Sequence, residues 1–112
     1  MIEILNAMKT DFAVLGNHEF DFGSDVLRQR MQEATFTWLG SNVRETNGNL
    51  FENVCDVHVL QVKSFKVGFF GICTSETPKL SYPGEDVVFG DIIPCAAVCQ
   101  QNILYYVLGF FI

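Results

Sequence analysis

Residues 11–40 read DFAVLGNHEFDFGSDVLRQRMQEATFTWLG, and they decide the fold. Residues 11–16 form a short apolar run of strand length that ends on Gly16 and predicts a buried strand. A polar stretch, residues 17–23, follows it. Ser24 is a candidate N-cap and Asp25 suits the positive end of a helix dipole. Val26, Leu27, Arg30, Met31 and Ala34 then recur at amphipathic spacing, which predicts a helix over 25–34. Residues 35–40 (TFTWLG) are rich in β-formers and predict a second strand. Strand, polar turn, helix and strand make a βαβ unit, whose two strands run parallel in one sheet. The fold class expected is α/β.

Upstream, Ile2, Leu5 and Met8 fall on one helical face, so residues 2–9 read as a helix, one without an N-cap. Downstream, residues 46–49 (TNGN) mark a turn. Residues 57–62 (VHVLQV) alternate apolar and polar, and 67–72 (VGFFGI) are almost wholly apolar. The first predicts a half-exposed strand and the second a strand buried on both faces, joined by a hairpin loop at 63–66. His58 lies in the alternating strand and is expected at the surface. Residues 74–84 read as a long polar loop with two prolines, and 87–89 as a short strand. From Cys95 onward the chain has neither a polar helical face nor a cap. Such a tail must be buried, paired with another chain or left exposed and adhesive.

The 112 residues suffice for one small domain, and 49% apolar against 18% charged residues places the chain among globular proteins rather than disordered ones. A net charge of −6 leaves no positive stripe for a phosphate backbone, so nucleic-acid binding is not expected. Eleven phenylalanines make aromatic packing the basis of the core. The residues after Met1 lack the basic and apolar regions of a secretory signal. The longest apolar run, 103–112, is about half of what a bilayer span needs, so no membrane span is expected. Four cysteines at irregular spacing read as buried free thiols. Cys95 and Cys99, four apart, are the one pair that would share a helix face and suit a metal or redox role.

Chemistry concentrates in Asn17-His18-Glu19-Phe20-Asp21, where a parallel strand ends and a helix follows. Ligands of open α/β sheets collect at the carboxyl ends of strands. His18 can act as acid, base or hydrogen-bond donor near neutral pH. Asp21, three residues on, could hold one ring N–H, fix the tautomer and favour the imidazolium. Asn17 offers a neutral amide oxygen of the kind hard cations accept. Glu19 reads as structural. Phe20 and Phe22 are expected to wedge the turn against the sheet, and Phe69 and Phe70 to pack in the core. Lys63 and Lys79 read as solvated. On residue types alone, a polar turn whose histidine merely bonds its neighbours explains the stretch as well.

Residues 16–23 (GNHEFDFG), with 6–15 before them, resemble the calcineurin-like metallophosphoesterase domain, and within it the 5'-nucleotidase and UDP-sugar hydrolase branch. Residues 39–43 (LGSNV), 66–72 (KVGFFGI) and 74–78 (TSETP), followed by Leu80-Ser81 and Pro83-Gly84, continue the likeness in order. It covers about residues 2–94. The resemblance implies a layered α/β/β/α sandwich, represented here in part by a βαβ unit and a hairpin. It implies that Asn17 is a ligand of a two-metal site holding zinc, manganese or similar divalent ions. It implies that His18 contacts the phosphoryl group or the leaving oxygen, with Asp21 orienting it. Two cations and a histidinium together stabilise in-line displacement at phosphorus.

The family's remaining ligands, an upstream Asp-x-His strand and Gly-Asp segment and a downstream histidine and Gly-His-x-His motif, have no match in this sequence. One neutral amide oxygen cannot by itself hold a divalent ion. The expectation is therefore a partial domain over 1–94 with a divergent apolar tail over 95–112, of the type that hydrolyses nucleotide phosphate monoesters or related diphosphates, with little or no activity alone. A truncated or mispredicted gene product or a spliced form accounts for both ends. The alternative is a non-enzymatic fragment or interaction protein that associates through its apolar tail. A weaker one is a metal or redox protein built on Cys95 and Cys99. Localisation stays open.

Overall fold

The computed structural model describes residues 1–109. Helix α1 (Ile2–Ala7) leads into strand β1 (Phe12–Val14), a single 3-10 turn (Asn17–Phe20) and helix α2 (Ser24–Glu33), which returns to strand β2 (Thr37–Leu39). β1 and β2 are parallel, with Ala13 beside Trp38, so the βαβ unit is present. Helix α2 matches its expected span to within a residue, but Ser24 is its first helical residue and Gly23, at φ +88°, is the cap. Only glycine enters that backbone region cheaply. The Ser24 hydroxyl is left free to donate to Asp86 Oδ1 at 3.3 Å.

Two short strands escaped the sequence reading. β3 (Val43–Glu45) follows β2 after a tight reversal closed by the Val43 N–H to Gly40 carbonyl bond, and β4 (Val54–Cys55) adds to β2 in parallel. Strands of two or three residues are too short to show a period. The parallel sheet has the order β1-β2-β4.

β5 (Val57–Val62) and β6 (Phe65–Phe70) form the expected hairpin, with Val62 opposite Phe65. Its turn is Lys63-Ser64 rather than 63–66, with Lys63 in the left-handed region at φ +55°, so β6 starts two residues earlier than expected. β6 is not buried on both faces: Phe65 is 70% exposed and Phe70 38%. Phe69 stacks on Phe12 with ring centroids 4.6 Å apart, and His58 is half-buried against the same ring at 5.0 Å. Phe12 covers the hairpin on the His58–Phe69 face and Ile103 of α4 covers it at Gly68 on the other, while the strand ends next to the turn, Val62 and Phe65, are exposed.

Within the expected loop 74–84 lies a single helical turn, α3 (Thr77–Leu80), and strand β7 (Val87–Phe89) then pairs antiparallel with β3. The tail is helical after all: α4 (Ile92–Leu108) ends at Gly109 in the left-handed conformation, whose N–H closes on the Tyr105 carbonyl at 2.7 Å. Its less exposed positions, Cys95, Ala96, Cys99, Asn102, Ile103 and Val107, recur at helical spacing and face the β5–β6 hairpin. Tertiary contact, not a polar face, makes it a helix. Ile93, Val98, Tyr106 and Leu108 remain exposed. The end of the apolar tail, residues 110–112, lies outside the described residues.

The core gathers Leu15, Phe20, Leu27, Met31, Phe36, Trp38, Val43, Phe51 and Val87 between the parallel sheet, α2 and the β3–β7 pair. Phe20 is fully buried, edge-on to Phe51 and Phe89. Burial of one such ring contributes about 1.5–3 kcal/mol. Asn42, also buried, donates its amide to the Cys73 and Gly90 carbonyls at 2.8 and 2.9 Å and accepts the Cys73 N–H at 2.9 Å. That one side chain ties β2, the end of β6 and the end of β7 together. All four cysteines are free, Cys73 and Cys99 buried and the other two half-buried.

Candidate active site

Gly16 leaves β1 in extended conformation, and its N–H donates to Glu19 Oε2 at 2.7 Å. This bond folds residues 17–20 into the 3-10 turn and gives Glu19 the structural task expected of it. Phe20 plugs the turn into the core, and Phe22 does not: it is 83% exposed. The wedge is therefore one ring, because the turn points alternate side chains in opposite directions.

The turn brings His18 and Asp21 together. His18 Nδ1 lies 2.9 Å from Asp21 Oδ2, and the other carboxylate oxygen, Oδ1, accepts the Ser81 hydroxyl at 2.6 Å. Ser81 arrives from the end of α3, 60 positions along the chain. It belongs to a segment carrying the family likeness, but nothing local to Asp21 announces it. With Nδ1 beside Asp21, the opposite ring nitrogen faces outward, and the His18 side chain is 81% exposed. The hydrogen bond and charge of Asp21 raise the pKa of His18. Asp21 is lowered, first by the Ser81 hydroxyl and then by His18.

Asn17 sits one residue before His18, half-buried, and its side-chain amide has no hydrogen-bond partner among the described residues. Beside His18 opens a cavity of about 470 Å³ between α1 and α2, with Leu5, Phe22, Val26 and Trp38 in its lining. The Trp38 indole N–H is buried without an acceptor among the described residues. Such an orphaned donor costs about 1–3 kcal/mol.

The donor set does not fit a two-metal centre. Among the described residues no group of three or more His, Cys, Asp or Glu side chains could hold a metal ion. Cys95 and Cys99 do not supply one either. Burial pushes the Cys99 thiol up to about 11, and its sulfur lies 3.5 Å from the Asp56 carboxylate, so thiolate formation is opposed twice over.

No family model matches the chain. Among curated proteins, it is 37% identical over 94 residues to the 5'-nucleotidase of Homo sapiens, and 35% identical over 95 residues to the snake venom 5'-nucleotidase of Crotalus adamanteus. These alignments take in 80% and 81% of the chain, and 16% of each relative. Among solved structures, the NAD nucleotidase of Haemophilus influenzae superposes with a TM-score of 0.80 at 29% identity, over 94% of this chain and 19% of that one. A 5'-nucleotidase precursor from Thermus thermophilus superposes with a TM-score of 0.78 at 29% identity, over 96% and 20%.

The chain belongs to the 5'-nucleotidase branch of the calcineurin-like phosphoesterases.

The fold is accordingly that of this phosphoesterase family, in part, with its βαβ unit and hairpin. The chain spans about a sixth of the length of the curated 5'-nucleotidases it matches, 16% of each. Calcineurin-like phosphoesterases are metal-dependent, and the 5'-nucleotidase branch acts on nucleotides. No helix among the described residues is long and apolar enough to cross a membrane.

Proposed function

We propose that this chain carries the histidine–aspartate pair of a 5'-nucleotidase-type phosphoesterase, directed at phosphate monoesters of nucleotides or related diphosphates. One observation carries the reading: Ser81, Asp21 and His18 form a continuous hydrogen-bonded line at the carboxyl end of β1, leaving one ring nitrogen open to solvent. In this reading Asp21 fixes the Nδ1–H tautomer and stabilises the imidazolium. The outward nitrogen then donates to a phosphoryl or leaving oxygen as negative charge builds there, a contribution of the general-acid kind worth about 10²–10⁴ in rate. Asn17 is the residue we assign to a metal, and a single amide oxygen does not suffice to retain one.

Turnover by the chain alone is therefore expected to be at or near background. The same shortage of donors favours a second reading, a non-enzymatic fragment or interaction protein that associates through its exposed α4 surface. Purified chain assayed on nucleoside monophosphates with added manganese or zinc separates the two. Metal-dependent turnover lost in His18→Ala would rule out the non-enzymatic reading. With no turnover, NMR of the His18 ring decides: a nucleoside monophosphate should shift its resonances in the native chain and less in Asp21→Asn. Identical spectra with and without nucleotide would remove the pair from any phosphoester site.

A further inference from the structure

Charge and apolar surface are distributed unevenly along this chain, and the β5–β6 hairpin is where they meet. Its pairing sets Val62 opposite Phe65 and Leu60 opposite Val67, so these four side chains share one face. That face continues inward to His58 and Phe69, which Phe12 covers. Beyond that layer the cover stops: every residue from 60 to 67 is exposed, Phe65 at 70% and Val62 at 44%. The opposite face is taken by α4, where Ile103 meets Gly68 and Lys66 Nζ reaches the Val107 carbonyl at 3.5 Å. The four apolar side chains form a two-by-two raft at the free end of the hairpin, a protrusion rather than a cleft.

Charge around the raft has one sign. Residues 57–73 and 92–109, which include the hairpin and α4, contain none of the 13 acidic side chains. Their charged residues are Lys63 in the turn and Lys66 beside it, so the rest of the chain is more acidic still than the net −6. Asp56, and Asp11 next to Phe12, sit at the base of the hairpin. Strands of six residues are about 20 Å long, and exposed charges are screened beyond about 8–10 Å at ordinary ionic strength. At its free end the hairpin therefore presents a cation to its surroundings, although the protein is an anion.

Exposed aliphatic and aromatic side chains beside ammonium groups on flexible stems match an anionic lipid surface. The apolar groups enter the headgroup boundary while the lysines stay level with the lipid charges. A peptide partner is served less well. Lysine on an edge strand, as Lys66 is on β6, discourages strand addition. Strand addition also draws its specificity from pockets for alternate side chains, which a raft on a protruding end does not form. We propose that the free end of the β5–β6 hairpin docks on anionic lipid bilayers. Val62 and Phe65 enter the interface with Leu60 and Val67 behind them, and Lys63 and Lys66 pair with the lipid headgroups.

The experiment uses the purified chain without metal or nucleotide, so its outcome does not depend on the phosphoesterase reading. Sedimentation with sucrose-loaded vesicles at low salt compares phosphatidylcholine alone with equal parts of phosphatidylcholine and phosphatidylserine. Expected is about tenfold or more stronger partitioning into the anionic vesicles, lost as salt is raised. Lys63→Gln with Lys66→Gln should weaken it about tenfold, and Phe65→Ser by a similar factor, each with an unchanged circular dichroism spectrum. In bicelles of the anionic composition, a spin-labelled lipid should broaden the amide signals of residues 60–67 and spare those of α2. Equal partitioning into both kinds of vesicle, binding that survives loss of both lysines, or broadening centred outside 60–67 would overturn the proposal. So would a folded chain that stays in the supernatant, or one that self-associates through residues 60–67 at low salt, which would make the occupant a second copy.

Discussion

His18 and Asp21 are a matched pair whose titrations move apart. Asp21 holds the imidazolium, so His18 in the folded chain titrates above its ordinary value of about 6.5. Its contribution to stability is complete below that ordinary value and is lost as pH rises through the raised one. Asp21 behaves oppositely: held down by Ser81 and His18, it contributes above its ordinary value of about 3.9 and loses that as pH falls through the depressed one. The window between is where the pair is intact. Both groups are solvent-facing, so the effect belongs in titration midpoints rather than in melting temperature. In Asp21→Asn, the His18 midpoint measured by NMR should fall toward about 6.5. In Ser81→Ala, the Asp21 midpoint should rise while His18 keeps its partner. An unchanged His18 midpoint in Asp21→Asn would refute the coupling. Asn17, His18 and Asp21 were legible as a group because they are neighbours in sequence. Ser81 was not, since only folding brings it 2.6 Å from Asp21.

Among elements, Arg28 ties α2 to the β3–β7 pair, beside the Ser24–Asp86 bond. Arg28 reaches Asp86 at 2.8 Å, Asp25 at 3.1 Å, and Glu45 and Glu52 at 3.6 Å each, and its guanidinium lies 4.7 Å over the Phe51 ring. Four carboxylates around a largely buried cation are an arrangement that lysine cannot copy. Arg28→Ala should cost about 1–3 kcal/mol, since it removes the cation–π contact and the packing of the side chain together with ion pairs to largely exposed carboxylates, and urea denaturation measures it. Asp86 is held low mainly by the Arg28 hydrogen bond, so this joint weakens as pH falls through the depressed Asp86 value. The α4–hairpin contact has its own weak point. A Cβ on Gly68 would overlap the β-branched Ile103 side chain, which has little freedom to yield. Gly68→Ala should cost about 1–3 kcal/mol and should speed amide exchange in α4 before it affects α2. Equal effects on both helices would show that α4 is not a separate unit. Register was the element property that the alternating pattern misplaced. The run 67–72 looked buried through its composition, whereas burial is set by whatever packs against the strand.

At the scale of the molecule, the apolar surface is larger than the described residues can cover. Phe65, Val62 and Phe70 on the hairpin and Ile93, Val98, Tyr106 and Leu108 on α4 are all more than a third exposed. A surface of this kind drives association. The net charge of −6 opposes it by mutual repulsion, which salt screens over about 8–10 Å. Sedimentation should therefore show mass increasing with salt concentration. Phe65→Lys with Val62→Lys should suppress this while leaving helix content intact. A monomer at every ionic strength would mean that the exposed face is not adhesive.

The amino-acid order by itself determined the βαβ unit, the hairpin, the polar turn and its three chemical residues. Those features arise from local periodicity and from neighbours in the chain. Only the tertiary structure decided that Ser81 completes the line through Asp21, that Arg28 gathers four carboxylates, and that the tail is a helix against the hairpin. Each of these depends on groups far apart in sequence, whose meeting is paid for by burial of the core and leaves no periodic trace in the chain.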